Sequence, residues 1–199
     1  MLILSFDTAT DVATSALLRD GVLLGERSSR ALRVLADVDA LLEEGGVGAG
    51  DLDGLAVGTG PGSFTGLRMG IVTARTLSLS LDVPVAGVST LDVLEVGAPG
   101  ALPVLDARRG EVFTKESGAP RCLHPDELVV TAGSVYVGDG AVRYRTSIEG
   151  RGGVVPEDAS PVHVPWARHH AALATGFGAP ELVEPLYLRA PDAERAPSR

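Results

Sequence analysis

The chain has 199 residues, 45% of them hydrophobic, and a formal charge of −9. That length suits one large domain or two lobes of about 100 residues each. Its acidity, with four Phe, three Tyr and one Trp, argues against a stand-alone nucleic-acid binder, which needs cations for phosphates and rings for bases.

Cys122 is the only cysteine, which excludes an internal disulfide and a Cys-rich zinc site and fits a reducing cytoplasm. The start, Met1-Leu2-Ile3-Leu4-Ser5-Phe6-Asp7, has no basic segment and meets an acid early, so no signal peptide is read there. No apolar run approaches the roughly 18 residues of a membrane span. A soluble cytoplasmic protein without membrane contact is expected.

In chain order, Leu2–Phe6 is a short apolar run that suits a buried strand. Val12–Leu18 and Val22–Glu26 flank Arg19-Asp20-Gly21, whose Asp-Gly pair signals a hairpin. Leu32, Leu35, Val38, Leu41 and Leu42 recur at helical spacing up to Gly45-Gly46, where a helix should stop. Leu52–Val57 reads as a strand, a glycine-rich turn follows, and a helix runs to about Ser80. Val83–Val88 is a further strand, and Ser89 caps a helix over Thr90–Val96. Pro99-Gly100 is the boundary between an N-terminal lobe, 1–99, and a smaller C-terminal lobe, 100–199.

The second lobe opens like the first. Leu102–Leu105, the turn Asp106-Ala107-Arg108-Arg109-Gly110 and Glu111–Lys115 form a hairpin. Strands are expected at Ser134–Val137 and Val162–Val164, and a helix at Trp166–Thr175 that Gly176 closes. The last segment, 191–199, is polar with two prolines and reads as a frayed tail.

Gly62, Gly66, Gly70, Ala74 and Ser78 recur every four residues, leaving one stripe of the second helix almost without side chains. Such a stripe admits close backbone approach, either by a partner helix or by the protein's own core. A phosphate-binding helix start is a third reading. No Gly-Lys-Ser/Thr follows, however, and Ser63 and Thr65 break the G-x-G-x-x-G register.

Asp7-Thr8-Ala9-Thr10 offers a carboxylate and two hydroxyls to a metal or phosphate, and turn capping explains the same residues. Asp106, Arg108, Arg109 and Glu111 make a charged turn, suited to an anionic partner or to a solvated hairpin tip. His169 and His170 are adjacent, so they point about 100° apart on a helix and cannot share one ion. Neither H-x-x-x-H nor G-x-S-x-G occurs around the candidate residues. No metal site and no nucleophile–base pair are therefore expected, and a protease reading falls with the missing ligands.

Phe6-Asp7-Thr8-Ala9-Thr10, Gly60-Pro61-Gly62-Ser63-Phe64-Thr65-Gly66-Leu67-Arg68-Met69-Gly70, Gly87-Val88-Ser89-Thr90-Leu91, Asp106-Ala107-Arg108-Arg109-Gly110-Glu111-Val112 and Leu186-Tyr187-Leu188-Arg189 occur in that order. Together they resemble the TsaB (YeaZ) family over nearly the whole chain. The resemblance implies an α/β fold of actin-like, RNase H-like (ASKHA) type, with mixed sheets flanked by helices in two lobes that each open with a β-hairpin. It also implies a non-catalytic scaffold in bacterial threonylcarbamoyladenosine synthesis on tRNA, pairing with a TsaD-like transferase, joined by a TsaE-like ATPase, and touching tRNA only through the complex.

Alone, such chains self-associate through the same first-lobe helices. Carried over, Gly62, Gly66, Gly70 and Ala74 become close-contact positions, with Phe64 and Arg68 at the rim. Asp7, Thr8, Thr10, Asp106 and Arg108 become junction or nucleotide contacts, with ATP or ADP placed only at the transferase interface. The chain departs from the family at Ser28-Ser29-Arg30-Ala31-Leu32, where a His-Ser or His-Thr pair usually enters the first helix. The rival reading is a small actin-like ATPase or phosphotransferase that uses Asp7 and Asp106 across a cleft.

Overall fold

The computed structural model describes residues 1–189; the tail expected at 191–199 lies outside them. Strand β1, Leu2–Asp7, runs antiparallel to β2, Ala13–Arg19, which runs antiparallel to β3, Val22–Ser29. The β2–β3 turn is at Asp20-Gly21, both with positive φ, as the sequence pair requires. After helix α1, Val34–Glu44, strand β4, Gly54–Gly60, pairs parallel with β1. Helix α2, Phe64–Leu81, leads to β5, Val85–Ser89, parallel to β4. The first sheet has the order β3-β2-β1-β4-β5.

Helix α3, Thr90–Gly97, is capped by Ser89, whose hydroxyl accepts from the Asp92 amide. The second sheet then repeats the opening of the first. Strands β6 (Leu102–Arg108), β7 (Glu111–Glu116) and β8 (Ala119–Leu123) form an antiparallel meander, and the short β9 (Tyr136–Val137) pairs parallel with β6. Helices α4 (Asp139–Arg143), α5 (Arg145–Glu149) and α6 (Ala167–Leu173) complete the chain.

Alternation along β1 sorts the core. Leu2, Leu4 and Phe6 enter one cluster with Val38 and Leu41 of α1 and Ile71 and Ala74 of α2. Ile3 packs on the other face with Ala16, Leu18 and the α6 residues Ala167 and Ala171. Ser5 and Asp7 share that second face, and the Ser5 hydroxyl donates to the Ala167 carbonyl.

The halves exchange helices across the Pro99-Gly100 junction. Leu91 and Leu94 of α3 pack with Leu105, Phe113 and Val137 of the second sheet, while α6 covers the first sheet. A C-terminal strap returns to the first half: Gly178 bridges Val85, Val183 enters the first core, and the Leu186 amide donates to the Thr59 carbonyl.

Several boundaries differ from the sequence expectations. Strand β4 keeps Gly58 and Gly60 in its ladder with β5, because glycines in a central strand make room for what lies beside them. Val162–Val164 is not a strand; Pro161–His163 forms a 3-10 turn, as a proline at the first helical position favours. Strand β8 was not expected, since Pro120 and Arg121 break any alternation, and it lies at a sheet edge, where proline is tolerated. The first helix starts as a 3-10 turn at Ala31–Arg33, and Ser29 bonds Asp37 across the unusual 28–32 segment.

Candidate functional site: the outer face of the second helix and the interlobe cleft

Helix α2 has two faces. Ser63 caps it by accepting from the Gly66 amide. Gly66, Leu67, Gly70, Ile71, Ala74 and Ser78 are buried, and Phe64, Thr65, Arg68, Val72, Thr76 and Leu79 are exposed. At 100° per residue the exposed set spans about a third of the helix surface.

The glycine stripe faces inward, which corrects the expectation that Gly62, Gly66, Gly70 and Ala74 meet a partner. A Cβ at Gly66 would fall far closer than 3.0 Å to the Thr8 carbonyl oxygen, one at Gly70 equally close to the Thr8 hydroxyl, and one at Gly62 2.7 Å from the Ala9 Cβ. Ala74 is fully buried in the first core. The stripe exists so that the β1–β2 turn can lie on the helix. Two hydrogen bonds fasten it there: the Thr8 hydroxyl donates to the Gly66 carbonyl at 2.7 Å, and the Ser63 amide donates to the Ala9 carbonyl at 2.7 Å.

Phe64 and Arg68 are on the surface. The Arg68 guanidinium lies 3.8 Å from the Phe64 ring centroid, and its Nε donates to the Tyr187 hydroxyl at 3.0 Å. Phe64 and Tyr187 rings are 5.2 Å apart. Along the same helix face, Val72 is 60% and Leu79 72% exposed, and Leu32 beside the start of α1 is 89% exposed. Three large apolar side chains this open gain little from burial in the monomer.

Asp7 is 1% exposed and takes no part in a cleft. Its Oδ1 accepts from the Ala9 amide at 2.5 Å, and its Oδ2 accepts from the Thr90 hydroxyl at 2.7 Å and lies 2.7 Å from His170 Nε2. Burial by itself would raise the Asp7 pKa, but the His170 ring and the Ala9 and Thr90 donors outweigh it and hold the carboxyl below its ordinary range. Gly58 supplies the room, since a Cβ there would collide with the Asp7 carboxylate. The sequence reading missed His170. Its signal was available only as a histidine on the buried side of a short helix, which ordinary core packing also explains.

Thr10 bonds locally, its hydroxyl donating to the Val12 carbonyl at 2.8 Å, which is the turn reading. The Asp106 side chain is 4% exposed; its carboxylate accepts from the Arg108 amide at 2.9 Å and from the Arg108 guanidinium at 3.1 Å, and lies 3.4 Å from Arg143. Arg108 reaches across the cleft to Asp11 at 2.6 Å. The structure thus joins Asp106, Arg108 and Asp11, and keeps Asp7 and Thr8 away from them.

Two hollows flank this clasp. One, of about 210 Å³, is lined by Thr10, Asp11, Asp139 and His163; the other, of about 430 Å³, by Phe64, Arg108, Phe113, Tyr187 and Arg189. Burial, with Asp106 nearby, raises the Asp139 carboxyl to about 6. Among the described residues no group of three or more His, Cys, Asp or Glu is arranged to hold a metal, and no helix is long and apolar enough to cross a membrane.

Comparison with known proteins places this geometry. The family model for TsaD, tRNA N6-adenosine threonylcarbamoyltransferase, matches residues 26–124. The tRNA threonylcarbamoyladenosine biosynthesis protein TsaB of Bacillus subtilis is 34% identical over 145 residues, 66% of this chain and 63% of that protein. The Escherichia coli protein of the same name is 39% identical over 126 residues, 58% of this chain and 54% of its own. The match therefore spans little more than half the length of these two relatives. An uncharacterized protein of Mycobacterium tuberculosis is 34% identical over 208 residues, covering 96% of this chain and 93% of its own.

The solved structure of YeaZ from Pseudomonas aeruginosa superposes with a TM-score of 0.77 at 29% identity, covering 94% of this chain and all of that one. Component A of the Acidaminococcus fermentans (R)-2-hydroxyglutaryl-CoA dehydratase, at TM-score 0.52 and 13% identity over 87% of this chain and 97% of that one, shares the fold alone. The repeated meander-and-crossover sheets are the actin-like, RNase H-like arrangement. Since the superposition holds over nearly the whole of YeaZ, and the curated TsaB relatives match at 34–39% identity, the chain belongs to the TsaB/YeaZ family.

Proposed function

We propose that the chain is a non-catalytic accessory subunit of tRNA threonylcarbamoyladenosine biosynthesis that binds a TsaD-like transferase through the outer face of α2 and the start of α1. A TsaE-like ATPase joins at that junction, tRNA is met only in the assembled complex, and a second copy covers the same face when the transferase is absent. ATP or ADP belongs to the junction and not to this chain alone. The observation that carries the reading is the open apolar face of Leu32, Val72 and Leu79. The relatives' names supply the pathway.

The sealed state of Asp7 counts against the ATPase alternative: a carboxylate 1% exposed and in contact with His170, Thr90 and the Ala9 amide cannot hold a metal–nucleotide in a cleft without first breaking three contacts. The test is depletion of the protein in its host, with mass spectrometry of tRNA nucleosides. Threonylcarbamoyladenosine should fall and return with the wild-type chain, but not with Val72→Asp. Unchanged nucleoside after depletion, or ATP turnover by the isolated chain, would overturn the proposal.

A further inference from the structure

We infer that His170 is a positioning residue for the docking face: through Asp7 it holds the β1–β2 turn against α2 and so sets the orientation of Phe64 and Arg68. This rests on the accessory-subunit reading for its consequence, though its geometry stands apart from it.

The linkage can be followed bond by bond. His170, fully buried on α6, contacts Asp7 Oδ2 at 2.7 Å, and Thr90 at the start of α3 donates to the same oxygen at 2.7 Å. The other oxygen, Oδ1, fixes the Ala9 amide at 2.5 Å. The turn fixed in this way gives the Ala9 carbonyl to the Ser63 amide and the Thr8 hydroxyl to the Gly66 carbonyl. One buried contact thus ties α6, α3, β1 and the start of α2 into a single path of contacts. Phe64 opens that first turn and Arg68 follows one turn later, stacked on Phe64 and bonded to the hydroxyl of Tyr187 in the strap.

The charged and titratable groups around the pair are few. Asp7 is met by His170 from α6, by Thr90 from α3 and by the backbone of β4 at Gly58. His170 has the Trp166 carbonyl 3.5 Å from its Nδ1, with His169 and Arg168 as chain neighbours. Glu26 of β3, paired to Arg168 at 3.2 Å, is the other carboxylate on this side. Removing the imidazole takes away the ring that holds the Asp7 carboxyl down and leaves its burial, which pushes the other way. Burial then favours the protonated carboxyl, its grip on the Ala9 amide weakens, and the turn loosens from α2.

The experiment compares wild type, His170→Asn and Asp7→Asn/His170→Asn by amide hydrogen exchange without the transferase and by transferase affinity with it. His170→Asn should speed exchange at Ser63 and Gly66 about tenfold while amides of α1 keep their rates. Affinity should fall about tenfold, the scale on which residues outside a binding site modulate it. It should also become pH-dependent where the wild type is flat, because burial no longer meets an opposing ring contact. The double variant has no charge to bury, so it should lose that pH dependence and recover most of the affinity. An even rise in exchange across α1 and α2, unchanged rates at 63–66, or an affinity loss that is flat with pH and not restored by the double variant would overturn the inference. If the wild type itself fails to bind the transferase, the functional reading falls while the exchange rates still decide the positioning.

Discussion

Gly66→Ala probes the inward glycine stripe most directly. The new Cβ lies far closer than 3.0 Å to the Thr8 carbonyl oxygen, which is backbone and cannot swing aside. Either the turn or the helix must move by about an ångström, and that movement stretches the Thr8–Gly66 and Ser63–Ala9 hydrogen bonds. Two such bonds contribute about 1 kcal/mol each, and overpacking adds about 1–3 kcal/mol. The better helix propensity of alanine offsets about 1 kcal/mol. The net loss is about 2–4 kcal/mol, or about 5–15 °C in Tm for a chain of this size. Thermal and urea unfolding followed by circular dichroism measure it. A Gly66→Ala protein that melts within a degree of wild type would mean that the turn does not rest on α2, and the inward assignment of the stripe would fail.

The other expectations follow from the same geometry. Val72→Asp should leave unfolding within about 0.5 kcal/mol of wild type, as exposed changes do, yet abolish co-purification with the transferase; retained binding would move the interface elsewhere. The Asp7 carboxyl is held below its ordinary range in the fold, so its contribution is complete above about pH 4 and disappears as pH falls through the lowered value. A pH series of melting temperatures should show that acid limb, and Asp7→Asn should flatten it while costing about 3–5 kcal/mol at neutral pH. Asp139 has the opposite sign: with its folded carboxyl raised to about 6, stability drops as pH rises from about 4 to 6. Asp139→Asn keeps an oxygen for the Asp106 amide, which donates to it at 2.9 Å. It should therefore stabilise the protein by about 2–3 kcal/mol at pH 8 and by nearly nothing at pH 4, read from paired denaturation curves.

The sequence by itself settled what short-range physics encodes. The Asp20-Gly21 hairpin, the Ser89 cap and the helix stop at Gly45 each depend on neighbours within a few residues, and each stands where it was read, whereas of the helical set only Val38, Leu41 and Leu42 are buried and Leu32 and Leu35 are exposed. The repeated hairpin openings made two sheets legible, and the ordered motifs pointed to the family.

Only the tertiary structure decided which way the stripe faces. A four-residue glycine period states that something approaches the backbone closely; it carries no information on whether that something is another chain or Thr8 and Ala9 of the same one. The Asp7–His170 pair was equally hidden, because 163 positions separate two side chains that meet only when α6 crosses to the first sheet. Strand β8 went unassigned for a related reason: an edge strand needs neither alternation nor freedom from proline, so its residues carry no strand signal until β7 pairs with them. Local pattern fixes elements, whereas the packing of distant segments chooses the face each one buries, and the function proposed for this chain rests on the face left open.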